Sequence, residues 1–263
     1  MKNEKLKIGI FDSGLGGLTV VKALSQVIKG ADIFYIADTK NAPYGEKTPK
    51  LILQYSLDIT KHLIDTYHID VLILACNTAT AFAIKVLRKR HPKLIIIGTE
   101  PGIKPAICLS KTGNIGVLAT PATLNADKYL HLVQMLSQGK NVKLYEQDCP
   151  GLVEQIEKGE VRSYKTKKML EKWLTPMKNS GVDTIVLGCT HYPLVTELIE
   201  EIMSCELNIV ETGEAIAKHL LVRSQEDGHI NDGTLTINIE STDSINMELV
   251  NSMIPNYTLL YSL

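Results

Sequence analysis

The sequence predicts an α/β protein with two similar domains and mainly parallel sheets. Short apolar runs alternate along the chain with longer segments of helical periodicity, which is typical of strands buried on both faces between crossover helices. The segment "GTEPGIKPA", residues 98–106, combines closely spaced glycine and proline residues and indicates a crossing between two halves of the chain. A return crossing is predicted near residues 205–208.

The two crossings divide the chain into one discontinuous and one continuous domain. With 263 residues, the chain is long enough for one large or two smaller α/β domains. The first predicted domain consists of residues 1–98 plus 208–263, and the second of residues 99–207.

Strands and helix starts can be placed from local patterns. Thr48 is predicted to N-cap a helix with Pro49 at its first position, and Thr120-Pro121 repeats this start signal. Short apolar runs bounded by turn residues predict strands. These runs are residues 6–11, 33–36, 71–75, 94–97, 115–118 and 185–187.

Composition and charge limit the class of protein. The chain has 28 basic and 29 acidic residues and no Lys/Arg-dense stripe with interleaved aromatic residues, which favours a small-molecule partner over nucleic acid. The apolar run before Asp12 is too short for a signal peptide or a membrane span, so we expect a cytoplasmic protein without a membrane partner. The five cysteines form no CxxC pair and no histidine pair has the H-E-x-x-H spacing, so we expect free thiols and no metal.

A glycine-rich turn, "IGIFDSGLGGLTVV", follows the first predicted strand. Thr19 stands where the dinucleotide-binding pattern G-x-G-x-x-G needs its third glycine, and the Gly-Lys-Ser/Thr of a phosphate loop is missing. Asp12 and Ser13 remain, at a strand's carboxyl end beside the N–H groups of a helix N-terminus, a place suited to a carboxylate or amino-acid ligand. A plain turn would explain the same residues.

Two cysteines occur in matching contexts. Cys76 follows "VLILA" and precedes "NTATA", whereas Cys189 follows "IVLG" and precedes "THYP". Each is therefore predicted at the carboxyl end of a strand near the next helix N-terminus, where backbone N–H groups favour a thiolate. A single cysteine there would more often be buried filler, but the repeated context favours a functional pair.

A histidine and a turn contain further candidate site residues. His191 lies two residues after Cys189 and can help its sulfur to lose or regain a proton. In "ADTKNAPYGEKT", Pro43, Tyr44 and Gly45 predict a stiff turn with one aromatic hydroxyl and an approachable backbone. Turn chemistry alone would also account for the latter.

Two matched thiols suit a reaction that one thiol cannot perform. If a planar carbanion forms between them, one thiolate removes a proton from one face of the carbon and the opposing thiol delivers a proton to the other. The stereocentre is thereby inverted, and the reverse reaction exchanges the two roles. This symmetry explains why both groups should be of the same residue type.

Five motifs occur in a fixed order: "FDSGLGG", "NAPYGEK", "ACNTATA", "GTEP" and "GCTHYPL". On these motifs the chain resembles the cofactor-independent aspartate/glutamate racemase family, and "FDSGLGG" with "PYG" resembles the glutamate racemases within it. The resemblance implies interconversion of L- and D-glutamate without cofactor or metal, supplying D-glutamate for peptidoglycan. It also implies an active site in the cleft between two domains and a homodimer.

The resemblance further implies roles for individual residues. Cys76 and Cys189 would be the acid/base groups on opposite faces of the substrate, with Asp12 and His191 as their assisting partners. The residues implied to hold the substrate are Asp12, Ser13, Tyr44, Gly45, Asn77, Thr78, Thr120, Thr190 and His191.

An acidic residue in "CPGLVEQIEKGE" also resembles a family position. Counting back from Cys189 favours Glu157 over Glu154 as this assisting residue. Asp38 resembles a further family position.

Three alternatives remain on the sequence. The chain could be a racemase of the same group that acts on aspartate or a hydantoin. It could be a non-catalytic protein that binds an amino acid in the same cleft. It could also be a thioester-forming hydrolase, although no oxyanion-hole partner can be identified from the sequence.

Overall fold

Two parallel sheets form the frame of the protein in this computed structural model, which describes residues 5–137 and 142–260. The strands are β1 (Leu6–Asp12), β2 (Ala31–Ala37), β3 (Val71–Leu74), β4 (Ile95–Gly98), β5 (Asn114–Ala119), β6 (Lys143–Asp148), β7 (Thr184–Gly188), β8 (Asn208–Val210), β9 (Thr236–Ser241) and β10 (Thr258–Leu259). The first sheet has six strands in the order β10-β9-β2-β1-β3-β4, and the second has four in the order β6-β5-β7-β8. All pairings between neighbouring strands are parallel.

Helices connect the parallel strands. They are α1 (Leu18–Ser25), α2 (Pro49–Tyr67), α3 (Asn77–Arg90), α4 (Ile103–Leu109), α5 (Pro121–Leu124), α6 (Asp127–Ser137), α7 (Leu152–Glu157), α8 (Tyr164–Asn179), α9 (Thr196–Met203), α10 (Gly213–Glu226) and α11 (Met247–Met253). Three short 3₁₀ turns cover Thr39–Asn41, Tyr44–Glu46 and Tyr192–Val195. In the two described ranges, none of these helices has the length and apolar character that crossing a membrane requires.

The predicted helix starts are confirmed. The Thr48 hydroxyl accepts a hydrogen bond from the Leu51 N–H at 3.5 Å, and α2 begins at Pro49. Thr120 likewise caps α5 by accepting from the Thr123 N–H at 3.2 Å. The segment after Pro121 folds as two helices instead of one, because α5 ends at Leu124 before α6 begins.

Both faces of each sheet are covered, as expected for parallel strands. On one face of the six-stranded sheet, Ile8 and Ile10 of β1 lie in a buried cluster with side chains of α1 and α10. On the other face, Phe11 lies in a cluster with side chains of α2 and α3. Two further clusters contain the buried side chains of the four-stranded sheet and its helices. The predicted α/β class with mainly parallel sheets is confirmed.

The sheets indicate how the chain crosses between its halves. Residues before 99 and after 235 form the six-stranded sheet, and the four-stranded sheet is built from the residues between them. Strand β8, Asn208–Val210, pairs with β7 in the four-stranded sheet, although residues from 208 onward were predicted in the first domain. On strand pairing, the return crossing comes after Val210. The division into domains of residues 1–98 plus 208–263 and residues 99–207 stays a prediction.

Candidate active site

The two cysteines predicted as a pair line one cavity between the sheets. Cys76 lies just after β3 and Cys189 directly after β7, so each is at the carboxyl end of a parallel strand. The cavity has an empty volume of about 280 Å³, and both cysteines contribute to its wall. Cys76 is 5% exposed and Cys189 is 8% exposed. Two almost fully buried thiols from different sheets therefore border the same small space.

Cys76 is held as a neutral thiol. Its Sγ caps α3 by accepting from the Ala79 N–H at 3.4 Å, and it lies 3.9 Å from Ser13 Oγ. Burial, followed by the negative charge of Asp12, raises the pKa of the Cys76 thiol to about 12, although the Ala79 N–H opposes this. Cys76 therefore carries a proton at neutral pH in the free protein.

Cys189 has a different partner, an imidazole ring. Its Sγ lies 3.7 Å from Nδ1 of His191, and Nε2 of His191 lies 2.6 Å from Oε1 of Glu157. Burial by itself lowers the pKa of His191, but the Cys189 sulfur and the Glu157 carboxylate together hold that pKa well above its ordinary value. Burial raises the pKa of Glu157, whereas its hydrogen bond to His191 and the charge of His191 lower it, and the lowering prevails. Both shifts favour an imidazolium between the Glu157 carboxylate and the Cys189 sulfur.

Asp12 is fully buried at the end of β1 and links the two halves of the site. Its Oδ1 accepts from the Gly14 N–H at 2.8 Å, and its Oδ2 accepts from the Thr190 hydroxyl at 2.8 Å. Burial raises the pKa of Asp12 to about 6, although the positive charge of His191 opposes this rise. Asp12 can therefore take up or release a proton close to neutral pH.

The glycines of "FDSGLGG" allow the polar groups to approach the backbone. A Cβ atom on Gly14 would lie 2.2 Å from Oε1 of Glu157, and one on Gly16 would lie 2.3 Å from Nδ1 of His191. The Leu15 N–H donates to Glu157 Oε1 at 2.6 Å, so the backbone of this turn binds the carboxylate directly. The turn thus needs glycine for close approach to protein side chains.

Three buried threonine hydroxyls form a cluster on the wall that faces the second sheet. Thr78 Oγ1 lies 3.0 Å from Thr120 Oγ1 and 3.2 Å from Thr123 Oγ1, and Thr120 donates to Thr123 at 2.9 Å. Next to Thr78, the buried Asn77 Oδ1 has no hydrogen-bond partner within residues 5–137 and 142–260. Buried polar groups are normally satisfied, so this amide is a candidate contact for a polar ligand.

The turn that contains Tyr44 and Gly45 lines the cavity, but the Tyr44 hydroxyl is bonded elsewhere. That hydroxyl donates to Oδ2 of the buried Asp38 at 2.5 Å. Gly45 lies against Thr120, whose Cβ would be 2.6 Å from a Cβ on Gly45. The backbone of the turn at Gly45 therefore contacts Thr120, which follows β5 of the four-stranded sheet.

The structure brings the predicted residues together in two groups. The cavity wall contains Ser13, Tyr44, Gly45, Cys76, Asn77, Thr78, Thr120, Cys189, Thr190 and His191. Asp12 and Glu157 are not in that wall; they contact Thr190 and His191 from behind it. Of the two acidic candidates in "CPGLVEQIEKGE", Glu157 is the one that contacts His191.

Sequence reasoning did not identify every residue of the wall. Pro43, Val153 and Gly188 also line the cavity, and Val153 carries no chemical signal that could have marked it. Cys149 directly follows β6, a strand that the sequence pattern did not predict. It is 2% exposed and does not line this cavity.

The fold and the site together define a class of protein. Each of the two parallel α/β sheets places one buried thiol with a polar partner in the wall of the same cavity. An isomerase that inverts a stereocentre by proton transfer needs two such acid/base groups at one substrate. The Asp/Glu/hydantoin racemase family matches residues 9–220. The chain belongs to this family.

Relatives with known names and structures agree with the family assignment. A glutamate racemase of Sulfurovum sp. (strain NBC37-1) is 64% identical over 252 residues, 96% of this chain and 95% of that protein. A glutamate racemase of Aliarcobacter butzleri (strain RM4018) is 57% identical over 251 residues, 95% of this chain and 96% of that protein. The crystal structure of a glutamate racemase isoform from Bacillus anthracis superposes with a TM-score of 0.86 at 26% identity, covering 99% of this chain and 98% of that one.

Proposed function

We propose that this protein is a glutamate racemase that interconverts L-glutamate and D-glutamate by proton transfer between two cysteines. The observation that carries the proposal is the pair of buried thiols, Cys76 and Cys189, at the walls of one cavity. The substrate is taken from relatives that are named glutamate racemases and are up to 64% identical over nearly the whole chain.

In one direction, Cys189 acts as the base. The His191 imidazolium, 3.7 Å from Sγ, stabilises the Cys189 thiolate by its charge. The thiolate takes the Cα proton, so the C–H bond breaks, an S–H bond forms, and the electron pair stays on a planar carbanion. Glu157 acts behind His191 as a positioning residue because it fixes the ring through Nε2.

Cys76 supplies the proton on the opposite face. Since burial raises its pKa to about 12, it enters the reaction as a thiol. Its S–H bond breaks as the new C–H bond forms, which leaves Cys76 as a thiolate and Cys189 as a thiol. Asp12, with a pKa of about 6, assists proton return on this side, and the reverse reaction begins from the exchanged state.

Polar residues around the two thiols hold the substrate. The Asn77 amide and the hydroxyls of Thr78 and Thr120 lie on one wall, and Ser13 and Thr190 lie near Asp12. An amino acid with two carboxylates and an ammonium group needs donors and acceptors on several sides, and this wall provides both.

The test is exchange of the Cα proton in single-cysteine variants. Purified protein is incubated in D₂O with L-glutamate and separately with D-glutamate, and optical activity and Cα deuterium are followed by circular dichroism and NMR. Cys76→Ala and Cys189→Ala should each lose racemisation by at least about 100-fold, because general acid–base groups contribute that much. Each variant should still exchange the Cα proton of one enantiomer, and the two variants should favour opposite enantiomers.

Cys149→Ala is the matched control, because Cys149 is also buried and also follows a strand end. It should racemise like the unmodified protein. Normal racemisation by Cys76→Ala would contradict the two-thiol mechanism. Binding of glutamate without Cα exchange in the unmodified protein would favour an amino-acid-binding protein, and turnover of aspartate alone would change the substrate.

We further infer that the protein acts as a cytoplasmic homodimer that supplies D-glutamate for peptidoglycan. The inference rests on the resemblance of its motifs to glutamate racemases. Sedimentation equilibrium of the purified chain checks the dimer, which a single monomer mass across the concentration range would contradict.

A further inference from the structure

A hydrogen-bond network outside the cavity wall connects the end of β9 to the Tyr44–Gly45 turn. Asp38, 1% exposed, lies at its centre. Asp38 Oδ2 accepts from the Tyr44 hydroxyl at 2.5 Å, and Oδ1 accepts from the Thr242 hydroxyl at 2.8 Å. The Asn41 amide donates to both oxygens at 3.0 and 3.1 Å. The carboxylate is thus satisfied by three neighbouring side chains.

Thr242 is the one member that comes from the C-terminal part of the chain. Its N–H donates to the Ala37 carbonyl at 3.0 Å, which continues the pairing of β9 with β2. Its hydroxyl accepts from the Lys40 N–H at 3.1 Å while donating to Asp38. The hydroxyl therefore fixes both the carboxylate and the backbone of the 3₁₀ turn that leads to Tyr44.

We propose that Thr242 is a positioning residue for the racemase reaction, acting through Asp38 to hold the Tyr44–Gly45 turn against the substrate cavity. The proposal rests on the proposed function for its substrate. Because the Tyr44 hydroxyl is occupied by Asp38, the turn meets the substrate with its backbone and ring, and its placement depends on this network.

The physical reason is the cost of an unmatched buried carboxylate. Without the Thr242 hydroxyl, the buried Asp38 Oδ1 loses a donor, and the exposed Lys40 N–H loses its protein acceptor. The carboxylate then shifts toward its remaining donors and moves the Tyr44 ring with it. Gly45 is packed against Thr120 so closely that such a shift changes the substrate cavity.

The main test compares Thr242→Val with Thr242→Ser. Valine keeps the shape but removes the hydroxyl, whereas serine keeps the hydroxyl. We expect Thr242→Val to raise KM for both glutamate enantiomers about tenfold with kcat changed less than about twofold, because the turn binds substrate without taking part in proton transfer. Thr242→Ser should stay within about twofold of the unmodified protein.

Thr236→Val is the matched control. Thr236 lies at the other end of β9 and its hydroxyl also donates to an aspartate of β2, Asp32, at 2.6 Å. The same type of hydrogen bond is lost, but at a partly exposed aspartate remote from the cavity. Thr236→Val should leave KM unchanged, even if its melting temperature falls as much as that of Thr242→Val.

A second readout needs no substrate. Amide hydrogen exchange in residues 39–47 of the free protein should be faster in Thr242→Val and unchanged in Thr242→Ser and Thr236→Val. If the unmodified protein fails to racemise glutamate, the proposed function fails, and this exchange measurement still decides whether Thr242 holds the turn. Unchanged exchange, or equal KM values for the valine and serine variants, would overturn the proposal.

A double variant tests the route through Asp38. Tyr44→Phe removes the hydrogen bond that connects the carboxylate to the turn. If Thr242 acts along this route, adding Thr242→Val to Tyr44→Phe should raise KM by less than about twofold. A full tenfold further increase would show that Thr242 acts by another route and would overturn the assignment.

Discussion

Asp12 illustrates the conflict between stability and function at a single buried side chain. Burial raises its pKa from the ordinary 3.8 to about 6, so the folded protein binds the Asp12 proton more tightly than the unfolded chain does. The contribution of Asp12 to stability is therefore largest below about pH 4 and is lost as the pH rises through 6. Since a tenfold change in proton affinity is worth about 1.4 kcal/mol, ionised Asp12 costs the fold about 3 kcal/mol above pH 6.

Asp12→Asn should therefore stabilise the protein while inactivating it. We expect its free energy of unfolding to exceed that of the unmodified protein by up to about 3 kcal/mol at pH 8 and to match it near pH 4. Racemisation should fall at least about 100-fold, because the amide takes up no proton. Urea unfolding at several pH values checks the stability, and a difference that grows toward low pH would contradict the assigned pKa.

Glu157 and Glu154 offer a matched pair on one short helix. Glu157→Gln removes one of the two groups that raise the pKa of His191, so that pKa falls although Cys189 still raises it, and the imidazolium form becomes less favoured. We expect kcat to fall about tenfold or more and the fall to be larger for the enantiomer whose proton Cys189 removes. Glu154→Gln should leave kcat unchanged. A pH profile of kcat measures the effect, and equal losses in both variants would show that Glu157 has no special role.

Individual site residues differ in how far the sequence reveals them. Cys76 and Cys189 could be predicted because both follow buried strands and the repeated context is local. The partners of these residues are not local: His191 and Glu157 are 34 positions apart, and Asp38 and Thr242 are 204 apart. No periodicity marks such pairs, so only the resemblance pointed to Glu157, and nothing pointed to Thr242.

At the level of elements, the β1–α1 turn needs glycine because side chains approach its backbone closely, and not because it binds a dinucleotide. Gly16→Ala would place a methyl group 2.3 Å from Nδ1 of His191 and force the ring away from Cys189. Small displacements of catalytic groups can cost about 100-fold in rate, and we expect a fall in kcat of that size. Gly213→Ala is the control, because Gly213 begins α10 and its methyl group would meet Ala23 of α1 at 3.2 Å without reaching His191. Circular dichroism checks that Gly16→Ala is folded. If the folded variant racemises glutamate at the normal rate, the position of the His191 ring does not depend on glycine at position 16.

The elements that sequence patterns failed to predict have physical reasons in common. Strand β6 reads "KLYEQD" and is largely accessible at the edge of its sheet, so it lacks the continuous apolar run of a central strand. Strands β8 and β10 have only three and two residues. Strand β9 alternates polar and apolar residues, and its partner β2 is far away in the sequence. The strands next to the thiols were predictable because they are central and buried on both faces.

At the scale of the whole molecule, the site depends on both sheets at once. Thr190, just beyond β7 of the four-stranded sheet, donates to Asp12 on β1 of the six-stranded sheet, and Thr78 contacts Thr120 across the same division. The family resemblance implied a cleft, but the sequence alone could not give these contacts, because they depend on how the two sheets are placed. A bound substrate should therefore stabilise both sheets together.

We expect glutamate to raise the unfolding midpoint of the entire chain in a single shift. At a concentration of about 100 Kd, the gain in unfolding free energy should be about 2.7 kcal/mol, since the ligand binds only the folded state. Both Cys76→Ala and Cys189→Ala should show the shift, because the polar groups that hold the substrate remain, and in these variants D- and L-glutamate can be compared without interconversion. Calorimetry with each enantiomer measures the effect. Two separate unfolding transitions, only one of which glutamate shifts, would contradict this prediction. The substrate would then be held by one sheet, and the hydrogen bond between Thr190 and Asp12 would not contribute to binding.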